Sequence, residues 1–397
     1  MANVLFLAHR IPYPPNKGDK IRSWNFLSRL AKHHTVHAAF YVDDEQDMQY
    51  VPVVQKVVAS LCFEKVTPFF QKILSLRGFL NGTSLTESAY PTKKLRKYCS
   101  DLISKGEIDY IFLFSAATAA ILPKECTVTM IADLVDVDSE KWKSYSKSAA
   151  WPLSLVYARE GRKLAIYEEK IVTQADTSVL VSEDEAKVLR EHIPLLGHKI
   201  LAVPNGVDIH IFDPSKYPMP LGSKNLIFTG AMDYQPNIEA VEWFCQNVWA
   251  KIKLRHPDAT FTIAGGPDVA RIKKLETYEG VSVLGYVDDM AKVLSEANIV
   301  VAPLRTARGI QNKVLEALSM AKPVVATSLA NEGINAQDDT HLIVADTPIQ
   351  FANAVNKLLE NEERQAGLGR AGRKYVQNHF SWSRSFKTLN NLILERP

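Results

Sequence analysis

Cysteine is scarce and scattered in this chain. Its four copies, Cys62, Cys99, Cys126 and Cys245, form no CxxC pair and no Cys/His cluster. That argues against a structural zinc site and fits a reducing cytoplasm. Excess charge is also small. A formal net charge of +3 gives no ground for a nucleic-acid partner. No apolar run is long enough to span a bilayer. The opening MANVLFLAHR has neither a basic leader nor a small-residue cleavage site, so it reads as a strand and not as a signal peptide. The first glycine-bearing loop is not GxGxxG, so the dinucleotide fingerprint is missing.

What is present is a repeated alternation of short β-branched runs and helical segments. At 397 residues the chain exceeds one ordinary core, and two domains are expected. The strands of the first half are read at Val4–Ala8, Val36–Tyr41, Tyr110–Phe114, Val128–Val135, Ser178–Val181 and Ile200–Val203. Pro204-Asn-Gly-Val-Asp208 and a proline-bearing stretch follow, and Asn-Gly is a strong turn signal. The boundaries follow: an N-terminal domain over 1–203, a linker over 204–222, and a C-terminal domain over 223–376. A last segment, 377–397, completes the chain. Each half reads as a parallel, Rossmann-like α/β unit with glycines at its strand ends, and such sheets bind ligands there.

The most informative stretch is IVVAPLRTARGIQNKVLEALSMAKPVVAT, from Ile299 to Thr327. A buried strand is stopped by Pro303, and a basic loop carries Gly309. Asn312 is read as the N-cap of a helix that Pro323 ends before a second buried strand. Such a helix start offers unpaired amides and partial positive charge to an anion. Arg305, Arg308 and Lys313 add full charge, and Glu316 stands one turn after Lys313. A carboxylate would repel phosphates but suits the hydroxyls of a ribose. One reading is a site for a sugar nucleotide's diphosphate and ribose. The other is a surface helix with a Lys–Glu pair and a solvated basic loop.

The first half offers weaker signals. Gly18 lies in a basic loop and either brings amides near a ligand or makes a plain turn. Asp133 and Asp136 close a strand, where hydrogen bonds from sugar hydroxyls are expected, and Asp136-Val-Asp138 has the DxD spacing of some metal sites. With no further ligand evident, no metal is expected. Asp138 or Ser139 could instead cap the next helix. The stretch 63–80 mixes Phe69, Phe70, Ile73, Leu76 and Phe79 with Lys65, Lys72 and Arg77. It reads either as a peripheral contact with an anionic membrane or as an ordinary helix with a solvated basic face.

Taken together and in order, several of these pieces resemble the family 4 glycosyltransferases, which have the GT-B fold. They are Asn205-Gly-Val-Asp208, FTGAMDYQPNIEAVEWF, TIAGGPD, VLGYVDD and KVLEALSMAKPVVAT. PPNKGDKIRSWNFLSRLA and LVDVDSEKW resemble a narrower group, the sugar transferases of exosortase-linked exopolysaccharide systems. The resemblance implies two Rossmann-like domains facing each other across a cleft, with a terminal helix crossing back to the first. It assigns Glu316 to the donor ribose, Gly309 and Ile310 to the diphosphate, and Tyr286 and Val287 to the base pocket. Gly18 and Gly230 fall beside the donor. There are departures. Arg308 stands where the family often has a first glutamate, and Ala231 and Pro236 replace a usual Arg and Lys. Arg305, Arg308 and Lys313 are then left to meet the diphosphate. No clear match exists for the acceptor-side histidine, so Asp133, Asp136 and Arg308 are the catalytic candidates.

The expected activity is a retaining, metal- and cofactor-independent transfer of a sugar from a nucleoside diphosphate to a saccharide or lipid-linked saccharide. The expected place is the cytoplasm or the inner face of the cell membrane. Two rivals share the scaffold: a sugar-nucleotide epimerase, and a non-catalytic saccharide-binding subunit for which Arg308 is the best support.

Overall fold

The computed structural model describes residues 1–394 apart from 124–125, 218–222, 268 and 308. It separates into two compact units. One comprises Met1–Val203 with the chain from Phe386 on, and the other comprises Pro204–Ser385.

The first unit is built on seven parallel strands: β1 (Asn3–Ala8), β2 (Thr35–Val42), β3 (Ser60–Lys65), β4 (Tyr110–Phe114), β5 (Thr129–Val135), β6 (Thr177–Leu180) and β7 (Ile200–Ala202), in the order β3-β2-β1-β4-β5-β6-β7. Val4 to Ala8 and Ile111 to Phe114 are buried, because helices cover both faces of a parallel sheet. The edge strand β3 is absent from the sequence reading. Its residues SLCFEK are only half-buried, so they carry no continuous apolar run. The first helix spans Gly18–His33 with Lys17 at its N-cap, so Gly18 belongs to its first turn and not to a loop.

One ion pair ties this unit together. The Arg22 guanidinium donates from Nε to Asp133 Oδ2 at 2.7 Å and from Nη2 to Asp133 Oδ1 at 3.1 Å, and its Nη1 reaches the Val203 carbonyl at 2.8 Å. Both side chains are fully buried. The pair joins the first helix, the middle of the sheet and the end of the unit's last strand. Asp133 therefore does not face an open site, which corrects the sequence reading. The signal was hidden because its partner lies 111 positions away.

The second unit has six parallel strands: β8 (Asn225–Thr229), β9 (Thr260–Ala264), β10 (Val281–Gly285), β11 (Ile299–Ala302), β12 (Val324–Ala326) and β13 (Ile343–Val344), in the order β10-β9-β8-β11-β12-β13. The Asn205-Gly206 turn belongs to it. A side chain at Gly206 would stand 2.4 Å from the Trp382 amide nitrogen, and the Val207 amide donates to the Phe380 carbonyl. The turn is thus a packing contact with the segment that leads into the helix Trp382–Leu394. Beyond Phe386 that helix is part of the first unit, where His33 stacks on Phe386 and His34 bonds Asn390. Of the expected linker, residues 218–222 lie outside the described residues.

Removing one member of a buried ion pair strands the other. Arg22→Met is expected to destabilise the first unit by about 3–5 kcal/mol. Arg22→Met with Asp133→Leu should recover most of that loss, as read by thermal and denaturant melts.

Candidate functional site

In each sheet the strand order reverses at one point, and there the loops at the carboxyl ends diverge and leave a crevice. In the second unit this point lies between β8 and β11. The loop after β8 supplies Gly230 and the helix Gln235–Phe244, and the loop after β11 leads into the helix Asn312–Ser319. The two stretches meet at Lys313. Its ammonium donates to Asn237 Oδ1 and lies 4.6 Å from the centre of the Phe228 ring. Asn237 is buried and donates from Nδ2 to the Ala231 carbonyl at 2.8 Å.

Backbone crowding keeps the crevice narrow. Gly265 has φ +127°, and a side chain there would meet the Gly230 carbonyl oxygen at 2.0 Å. One at Gly230 would come within 2.7 Å of Asn237 Nδ2 and 3.1 Å of Lys313 Nζ. The Gly230 amide bonds Ala264, the Gly265 amide bonds Gly285, and the Met232 amide bonds Gly266. The ends of β8, β9 and β10 are therefore held at fixed heights. Tyr286, directly after β10, is 71% exposed with its ring free of the core. Val287 beside it is half-buried.

The helix start is uncapped. Gln311, not Asn312, occupies the N-cap, and it makes no capping side-chain bond. The Val314 amide donates to the Gln311 carbonyl at 3.0 Å, and a helix start leaves the amides before it without an intrahelical partner. Gly309, at φ +64°, turns the chain into this start, and Ile310 is buried beside it. Glu316 lies one turn into the helix and forms no direct ion pair with Lys313 among the described residues. Burial pushes the Lys313 ammonium down to about 7, against a raising effect of Glu316. Burial pushes the Glu316 carboxyl up to about 7, against a lowering effect of Lys313. Two ionisable groups are thus held where water solvates them poorly, interacting through charge but with no direct ion pair between them among the described residues.

Arg305 is placed differently. It donates to the Asp346 carbonyl at 2.9 Å and stacks over Trp243 at 5.0 Å. Neither contact is shared with Lys313 or Glu316, so the described geometry does not bring it to them. Arg308 lies outside the described residues, as does Asp268 of TIAGGPD. Asn237 and Gly265 went unread in the sequence. The Pro236-Asn237 pair at a helix start was the available signal.

The first unit's switch point lies between β1 and β4. His9, just past β1, stacks on Phe114 at the end of β4 with ring centres 5.9 Å apart. Its Nε2 is 3.3 Å from Asp19, and its Nδ1 is buried without a partner. Arg10 bridges Asp19 and Asp43. Burial raises the Asp19 carboxyl, but the hydrogen bond and charge of His9 and the charge of Arg10 outweigh it and hold it well below the usual range. The exposed Gly18 begins the helix beside this group. Sequence reading passed over His9, although it directly follows the first strand.

Asp136 follows Val135, a β-branched residue at φ +69° where the β5–β6 register shifts. Such a backbone costs about 1–3 kcal/mol and marks functional turns. Burial, then Glu185 and Asp138, push the Asp136 carboxyl up to about 7. Neither Asp138 nor Ser139 is an N-cap. Val137 holds that place, and Ser139 bonds Glu168 instead. Among the described residues no three His, Cys, Asp or Glu side chains could hold a metal together.

Residues 223–361 match a family model described as glycosyl transferases group 1. Among curated proteins, the chain is 21% identical over 406 residues to an uncharacterized 44.6 kDa protein of the cps region of Klebsiella pneumoniae, covering 98% of this chain and 99% of that one. It is 23% identical over 330 residues to a GDP-mannose-dependent mannosyltransferase of Corynebacterium glutamicum that acts on a monoacylated phosphatidylinositol monomannoside, covering 77% and 82%. Among solved structures, sucrose-phosphate synthase from Thermosynechococcus elongatus superposes with a TM-score of 0.72 at 14% identity, covering 100% of this chain and 99% of that one. Anabaena HepE in complex with UDP and glucose superposes at 0.67 and 13%, covering 100% of both.

The Lys313–Glu316 pair should leave a mark on stability. From pH 4.5 to 7 the folded chain keeps a proton on Glu316 that the unfolded chain has lost, so stability falls as pH rises. From 7 to 10.5 the folded chain lacks a proton on Lys313 that the unfolded chain keeps, so stability rises. Thermal melts across pH should show a shallow minimum near neutrality. Glu316→Gln should remove the acidic limb and Lys313→Met the alkaline one, each on the order of 2 kcal/mol.

Proposed function

We propose, from the premise that this chain is a glycosyltransferase of the GT-B fold with a group 1 transferase domain over 223–361, that the crevice between β8 and β11 binds the donor, a nucleoside-diphosphate sugar. The observation that carries this reading is the placing of Lys313 and Glu316, without a direct ion pair between them among the described residues, at a helix start whose N-cap makes no side-chain capping bond. A diphosphate supplies the anion that Lys313 and the first-turn amides lack. A ribose supplies the hydroxyl donors that the Glu316 carboxylate lacks. Gly309 and Ile310 admit the phosphates by backbone approach, and the exposed Tyr286 with Val287 offers a face to the base. Solved neighbours hold UDP with glucose, and UDP-glucose, which supports a nucleotide sugar as the class of donor.

The chemistry follows from charge. As the bond from the anomeric carbon to the diphosphate oxygen breaks, its electron pair leaves with the diphosphate. The Lys313 ammonium and the amides of the helix start are already aimed at that charge, so stabilising it needs no reorganisation. The acceptor hydroxyl bonds the anomeric carbon and passes its proton to the departing diphosphate oxygen. The anomeric configuration is retained, with no protein nucleophile assigned and no metal. The acceptor is a saccharide, free or lipid-linked, of a surface polysaccharide. The full-length resemblance to a cps-region protein and the mannosyltransferase relative support that class. Its recognition belongs to the first unit, where His9, Asp19 and Asp136 are the polar candidates.

Each charge-assisted hydrogen bond to phosphate is worth roughly 1.5–3 kcal/mol. Lys313→Ala and Glu316→Ala should therefore weaken binding of a nucleoside diphosphate by tens-fold while the protein stays folded. An undiminished affinity in both variants would end the assignment of this crevice. Incubation with labelled sugar nucleotides, with and without lipid-linked acceptor, then separates transfer from donor isomerisation and from mere saccharide binding.

Proton linkage gives a second check. Binding of an anion raises the affinity of Lys313 for its proton, so above pH 7 binding should take up a proton and weaken as pH rises. Calorimetry in buffers of different ionisation heat should show that uptake in the natural protein and not in Lys313→Ala.

A further inference from the structure

The short helices Pro68–Ser75 and Arg77–Asn81 are amphipathic in the wrong sense for a globular surface. Phe69, Ile73, Leu76 and Leu80 recur at helical spacing, and that stripe points outward. Phe69 is 73% exposed and Leu80 88%. The buried side is made by Leu74 and Gly78. An apolar stripe turned to solvent needs an occupant.

The stripe is mounted rigidly. Glu160, fully buried on the helix Leu153–Gln174, accepts from the amides of Leu85 and Thr86 at 2.7 and 2.9 Å. Arg159 donates to the carbonyls of Gly78 and Thr83 and stacks over Phe79 at 4.7 Å. A side chain at Gly78 would strike the Ser84 carbonyl at 2.6 Å. Leu155, one turn before Arg159, extends the apolar surface, and Trp151 just ahead of that helix is 79% exposed.

Charge selects the occupant. From Lys65 to Thr86 the chain has no carboxylate but carries Lys65, Lys72 and Arg77. From Lys141 to Arg159 it again has none, with Lys141, Lys143, Lys147 and Arg159 present. An exposed apolar stripe flanked by Lys65, Lys72 and Arg77, with Glu87 half-buried on the adjoining helix Leu85–Ser88, is a pattern that lies in the interface of an anionic bilayer. We propose that this face of the first unit docks on an anionic membrane, with Phe69, Ile73, Leu76 and Leu80 entering the headgroup boundary and Lys72 and Arg77 meeting lipid phosphates. Among the described residues no helix is long and apolar enough to cross a membrane, so the attachment is peripheral. It does not depend on the transferase reading, because it can be read without donor or turnover.

The test is co-sedimentation of the full chain with vesicles of phosphatidylethanolamine and phosphatidylglycerol, beside vesicles of phosphatidylcholine. Binding is expected to the former, weakened by salt, and lower to the latter. Phe69→Ser with Ile73→Ser should lower binding by about tenfold or more, and Lys72→Glu with Arg77→Glu should remove the dependence on phosphatidylglycerol. All four side chains are exposed, and circular dichroism should show both variants folded. Failure of the natural protein to bind either vesicle, or undiminished binding of the Phe69→Ser/Ile73→Ser variant, overturns the proposal. So does a dimer in light scattering that this variant disperses while no vesicle binding is seen, since the stripe would then be a contact between copies of the chain.

Discussion

The Gly230 carbonyl occupies the space that any side chain on Gly265 would need. That single steric fact sets the geometry at the mouth of the second sheet. With no side chain between them, the ends of β8, β9 and β10 approach closely enough to exchange backbone hydrogen bonds. Lys313 lies beside them, fixed by Asn237 and the Phe228 ring. A wider mouth would admit water, and the ammonium would keep its ordinary basicity. The unusual electrostatics of the site are therefore a consequence of backbone packing.

Much of this was legible in the sequence, for a physical reason. Strands buried on both faces read as unbroken β-branched runs, so the six strands read in the first half and the two of the Ile299–Thr327 stretch lie close to where the structure has them. The half-buried edge strand β3 had no such run and was missed. Lys313 and Glu316 were legible because helical spacing is local. Asn312 was read as the cap, but the chain enters the helix one residue earlier through Gln311. That N-cap makes no side-chain capping bond.

What the sequence could not show was pairing across long separations. Asp133 and Asp136 looked equivalent, three residues apart at one strand end. The fold divides them: Asp133 is consumed by Arg22, while Asp136 stands past the left-handed Val135, partly exposed and hard to ionise. His9 and Asp19 escaped notice because their meeting depends on the first helix starting at Gly18. Gly265 was visible only as half of a Gly-Gly pair, and its necessity appears only once Gly230 is opposite it.

These contrasts separate charges that hold the fold from charges that await something. Lys322 is buried, and its ammonium donates to the Ser295 and Ala297 carbonyls at 2.7 and 2.8 Å. Arg22 is met by a carboxylate and a carbonyl. Both are answered within the protein, and loss of either partner would leave a buried charge unmatched. Lys313 has one neutral amide oxygen, and the carboxylate nearest in sequence does not pair with it. A buried ammonium with a single neutral acceptor costs stability in the free protein, and a ligand that supplies further acceptors offsets that cost. By this criterion Lys313 is set apart from Arg22 and Lys322, in keeping with the donor site proposed between β8 and β11.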